Sequence, residues 1–92
     1  MNRYRTTFFA DCPNNGIRIQ YHLEIVTGQL IKVEDILAAT AAITRGYHEE
    51  IADQLLQSLG GAQTLTATHH GVEIETTRPA LQAIVKPSEV SR

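Results

Sequence analysis

Ninety-two residues with 42% hydrophobic and 20% charged side chains have the composition expected of one ordinary globular domain with a modest core. A formal charge of −2, from 8 basic and 10 acidic side chains without a block of either sign, speaks against nucleic acid or an anionic membrane as partner. The longest apolar runs are too short to span a bilayer, and Met1–Cys12 lacks the apolar centre of a signal peptide. One cysteine cannot form an internal disulfide, so a cytoplasmic setting is expected.

The first predicted element is a strand over Arg3–Asp11, with Tyr4, Thr6, Phe8 and Ala10 on one face and Arg5, Thr7 and Phe9 on the other. Cys12-Pro13-Asn14-Asn15-Gly16 is turn chemistry. Gly16–Thr27 carries the clearest signal in the chain. Ile17, Ile19, Tyr21, Leu23 and Ile25 alternate with Arg18, Gln20, His22 and Glu24, the period of a strand with one buried face. With Asn15-Gly16 as a two-residue turn, Ala10 faces Tyr21, Phe8 faces Leu23 and Thr6 faces Ile25, which places Phe9 near the level of His22. A phenylalanine on the polar face points to a second layer or a subunit contact there.

Thr27-Gly28-Gln29 turns the chain, and Glu34-Asp35 opens a first helix, where acidic groups complement the helix dipole. Ile36, Leu37, Thr40, Ala41 and Ile43 are expected along its inner side. Arg45-Gly46 interrupts it, and a second helix follows over about Tyr47–Leu59. Ile51, Ala52, Leu55, Leu56 and Leu59 form its apolar stripe, and Gly60-Gly61 ends it. Thr64–Thr68 and Val72–Thr77 predict a second hairpin, with His70-Gly71 the favoured two-residue turn because glycine suits its second position. The predicted architecture is α+β and two-layered, β-β-α-α-β-β, with a four-stranded antiparallel sheet and both helices on one face. Residues 1–79 make the domain, and 80–92 a partly disordered C-terminal extension.

This order resembles the tunnelling fold, whose members include 6-pyruvoyl-tetrahydropterin and 6-carboxytetrahydropterin synthases. Gly28-Gln29-Leu30-Ile31-Lys32-Val33-Glu34-Asp35-Ile36 is similar to that family's passage from second strand to first helix. Val72-Glu73-Ile74-Glu75-Thr76-Thr77 is similar to its late strand, and the resemblance implies Glu75 as the anchor of a pterin or purine ring in a site between subunits. Those synthases carry zinc-binding histidines at the end of the first strand and the start of the second. This chain has Asp11 and Asn15-Gly16-Ile17 there, so the resemblance does not extend to the zinc chemistry.

No residue set in the sequence fixes an activity. His69-His70 are the candidates for a metal, but Cys12, His22, His48, His69 and His70 match no zinc spacing, and solvated or subunit-facing histidines are the plainer expectation. His48-Glu49-Glu50-Ile51-Ala52 begins like a zinc-protease helix, but alanine stands where the second histidine belongs. Glu73, Glu75 and His22 are the candidate ligand-binding residues, and Phe9 the candidate subunit contact. The sequence thus predicts a non-catalytic module that binds a ligand or associates with copies of itself, without a cofactor. The alternatives are a tunnelling-fold enzyme and a histidine-dependent metal binder.

Overall fold

The computed structural model describes residues 1–80. The expected C-terminal extension therefore lies, from residue 81 on, outside the described residues. Strands β1 (Asn2–Asp11) and β2 (Arg18–Thr27) form the first hairpin, helices α1 (Val33–Ala41) and α2 (His48–Leu59) follow, and β3 (Ala62–His69) and β4 (Val72–Arg78) form the second hairpin. The four strands make one antiparallel sheet in the order β1-β2-β3-β4. This is the α+β architecture expected.

Alternation along β2 buries Ile19, Tyr21, Leu23 and Ile25, each at most 6% exposed, against Phe8 and Ala10 of β1 and Leu65 and Ala67 of β3. Ile51, Ala52 and Leu55 of α2 close the core from the other layer, with Ile43 entering from the connection between the helices. On α1, Ile36 and Thr40 turn inward, and the Thr40 hydroxyl is satisfied by donating to the Ile36 carbonyl at 3.0 Å. Leu37 was expected on that inner side but is 54% exposed, and Ala41 is exposed as well. The helix is too short and too one-sided to bury two neighbouring rows.

The first hairpin differs from the expected pairing by two residues. Ala10 faces Ile19, Phe8 faces Tyr21 and Thr6 faces Leu23. The loop contains Pro13–Gly16, closed by Cys12 N–H to Ile17 O at 2.9 Å and Gly16 N–H to Cys12 O at 2.8 Å. Two-residue and four-residue loops share the same parity, so the paired side chains keep their expected faces while their partners change; Ile17, expected on the buried face, falls in the connection instead and is 48% exposed. Phe9 consequently lies opposite Gln20, and Thr7 opposite His22. The second hairpin has the expected register: His69 faces Val72 around His70-Gly71, whose φ values of 51° and 82° are those of a type I′ turn.

Two contacts tie the layers together. Gln63, buried in β3, donates its amide N–H to the carbonyls of Leu55 (3.0 Å) and Gly60 (2.7 Å), satisfying groups at the C-terminal end of α2. Arg78, at the end of β4, reaches Asp53 at 2.6 Å and Glu49 at 3.6 Å on α2.

Candidate functional site

Both helices cover the same face of the sheet, and among the described residues no element covers the other. Cross-strand register aligns its side chains in rows. One row runs Arg5–Glu24–Thr64–Thr77, and the next Thr7–His22–Thr66–Glu75. Neighbouring strands lie about 4.8 Å apart, so the backbones of His22 and Glu75 are roughly 10 Å apart across Thr66. The two rows line a concavity of about 560 Å³, with Thr7, Thr64 and Thr66 between Arg5 and Glu24 on one side and Glu75 on the other. This volume is in the range of small-molecule sites.

Its charges are unevenly committed. Glu24 is already engaged, by Arg5 Nε at 3.0 Å and Arg3 Nη1 at 3.6 Å. Glu75 has no hydrogen-bond or ion-pair partner among the described residues and presents a free acceptor. Glu73 borders an adjoining depression of about 230 Å³ that shares His22 and Thr66 with the first. The three expected ligand residues are thus on one face, with His22 as the wall common to both hollows. The set offers carboxylate acceptors, an imidazole able to donate or accept, and threonine hydroxyls, the requirements for holding a polar molecule through its N–H groups. Phe9, 48% exposed, projects from the same face beneath the Arg18 guanidinium, 4.9 Å from its ring centre.

His69 and His70 diverge, as adjacent residues at the end of a strand must. His69 turns to the core side and meets His48, Nε2 to Nδ1 at 3.2 Å, while His70 Nε2 meets Asn15 Nδ2 at 2.9 Å. Among the described residues, no group of three or more His, Cys, Asp or Glu side chains is arranged to hold a metal ion. Cys12 is a free, half-buried thiol packed at the margin of the core.

A second polar group lies beneath the sheet, and sequence reading missed it. His48 is 7% exposed, with Nε2 3.2 Å from the Leu65 carbonyl. Burial lowers its pKa, opposed by the hydrogen bond to Leu65; the charges of His69 and Arg78 lower it further, and Glu49 raises it. Tyr21 adjoins both rings, its centroid 5.5 Å from His48 and 6.1 Å from His69. Its hydroxyl is buried without a hydrogen-bond partner among the described residues, and burial, then nearby Cys12, raises its pKa. The sequence held the signal: His48 precedes Ile51 and Ala52 by three and four residues, on the buried stripe of α2, and His69 continues the Leu65, Ala67 parity.

No protein family matches the chain, and no curated protein does. Among solved structures it is similar to the crystal structure of the archaeosine synthase QueF-Like in its apo form, with a TM-score of 0.58 and 15% identity, over 83% of this chain and 88% of that one. The likeness is one of fold. It relates the chain to the tunnelling fold in the broad sense and does not single out the tetrahydropterin synthases. No helix among the described residues is long and apolar enough to cross a membrane.

Proposed function

We propose that the protein is a self-associating module that binds a small polar ligand on the helix-free face of its sheet. The observation that supports this most is the concavity of about 560 Å³ that unites His22 with the uncommitted carboxylate of Glu75. A ligand with adjacent N–H donors would give them to Glu75, lie along Thr64 and Thr66, and meet the imidazole of His22. Self-association fits the outer edges of β1, short of its Asp11 end, and of β4, which pair with no strand among the described residues, since exposed strand edges invite pairing with another chain. The fold likeness favours a second, narrower reading: a purine- or pterin-binding enzyme with Glu75 as ring anchor and its site completed by a neighbouring copy.

The test is a thermal-shift and calorimetric titration of the wild type and Glu75→Gln with guanine, pterin and related amino-substituted heterocycles. Wild-type protein is expected to be stabilised by at least one member of the panel. Loss of a charge-assisted hydrogen bond in Glu75→Gln should weaken that binding about 10- to 100-fold. A panel without effect on the wild type, or binding indifferent to Glu75→Gln and His22→Ala, contradicts the assignment. Turnover of a bound heterocycle would decide for the narrower reading.

A further inference from the structure

Pairing between β2 and β3 runs from Val26↔Ala62 to Tyr21↔Ala67 and stops, although both strands continue. Beyond that point a cavity of about 80 Å³ separates Arg18 and Ile19 from Thr68 and His69, with Cys12 and His70 on its wall. Two side-chain contacts flank this gap. Asn15 joins His70 across its outer end, and His48 of α2 joins His69 on the core side.

The proton positions in these contacts are determined by their neighbours. Asn15 Oδ1 accepts from the Ile17 N–H at 3.0 Å, so Asn15 Nδ2 is the donor to His70. His70 Nε2 must therefore carry a lone pair, and its hydrogen resides on Nδ1. His48 Nε2 faces the Leu65 carbonyl, which can only accept, so the His48 hydrogen is on Nε2 and its Nδ1 receives the N–H of His69 Nε2.

We propose that these three histidines form a proton-operated latch that holds the β1–β2 loop and the N-terminus of α2 to the β3–β4 tip when they are neutral and releases them when they are protonated. A proton added at His70 Nε2 sets N–H against N–H and ends the contact with Asn15. The His48–His69 pair can take one proton, on the remaining Nδ1 of His69, with its hydrogen bond intact. A second proton, on His48 Nδ1, would face the N–H of His69. The surroundings resist it: His48 is buried, and Arg78 of β4 adds positive charge, with Glu49 of α2 the one acidic group opposing them among the described residues; Tyr21 of β2 is neutral. Arg18 of β2 borders the same cavity as His70. Acid therefore loosens the N-terminus of α2 and the β3–β4 tip together, while the ladder from Tyr21↔Ala67 to Val26↔Ala62 stays paired. The latch does not depend on the ligand reading, because its residues face the gap and the core, away from the Glu75 concavity.

The experiment is nitrogen-15 NMR of the imidazoles from pH 8 to 5, with thermal unfolding of the wild type and His69→Gln over the same range. At pH 8 the expected tautomers are Nε2–H for His48 and His69 and Nδ1–H for His70, the last being the less common form of a free imidazole. Towards pH 5, chemical-shift changes should gather at residues 15–19, 48 and 68–71. The wild-type midpoint should fall by about 5 °C. In His69→Gln, whose amide can donate or accept, that fall should be about halved. An Nε2–H tautomer at His70, or independent ordinary titrations of His48 and His69 without change around the gap, overturns the proposal. The tautomer and titration measurements need only the wild type, so they decide even where the variant fails to fold.

Discussion

At the scale of single residues, the apolar face of β2 was readable from its period, but the condition of one atom on it was not. Tyr21 is wholly buried, yet its hydroxyl has no partner among the described residues. A buried unsatisfied hydroxyl costs stability, so Tyr21→Phe should keep the stacking with Phe8 and raise stability by about 1 kcal/mol in denaturant unfolding. The raised pKa of Tyr21 adds a pH dependence. Its contribution is fully present below the unfolded value of 10.0 and is lost as pH rises through that value towards the higher folded one. Tyr21→Phe should therefore lose less stability than the wild type between pH 9 and 11. Gly60-Gly61 was legible as a helix stop. The structure adds that Gly61 has φ of 76° and that a Cβ there would meet Ile25 Cγ2 at 2.9 Å. Backbone strain and this contact together should make Gly61→Ala destabilising by about 2 kcal/mol, measured as a shift in the denaturant midpoint. His48 shows the opposite case, a residue whose helical spacing marked it as buried while its acidic neighbours Glu49 and Glu50 drew attention to the first turn of α2.

At the scale of elements, strand faces were legible because side-chain direction alternates whatever the loop does. Strand partners in the first hairpin were not, because Pro13–Gly16 forms a four-residue loop held by Cys12 and Ile17. The second hairpin was legible because an odd-length turn would misplace Leu65, and of the two even registers that keep the apolar face, glycine at the second position favours His70-Gly71, the turn observed. Among the candidate site residues, sequence reading placed Glu73, Glu75 and His22 on polar strand faces. It could not show that the β2–β3 register aligns His22 with Thr66 and that Glu75 completes the same row. Helix burial separates two leucines that composition treats alike. Leu55, fully buried between α2 and the sheet, should cost about 3 kcal/mol when changed to alanine. Leu37→Ala, on the exposed side of α1, should change stability by less than about 0.5 kcal/mol. Equal losses in the two variants would mean that α1 buries its outer side against another surface in solution.

At the scale of the whole molecule, the architecture followed from the order of periodicities, two strands, two helices and two strands, and the shared side of the helices followed from a single apolar face on each hairpin. What a single chain leaves open is the sheet itself. Its outer face carries the Glu75 concavity and Phe9, and among the described residues its edge strands have no strand partner on their outer sides. At the β1 edge the Asp11 end is already capped, because the Asp11 N–H donates to Thr44 O at 2.9 Å and its carbonyl accepts from Gly46 at 3.2 Å. Under the proposed self-association, the remaining length of β1 and the outer side of β4 are the edges available for head-to-tail pairing, which closes into a ring only where the rotation between copies does. The most direct measurement is the solution mass by light scattering behind a sizing column, across a range of concentrations. The expected result is a discrete mass at a fixed multiple of the 10.2 kDa chain. A monomer at every concentration would contradict self-association and confine any binding to the Glu75 face of a single chain.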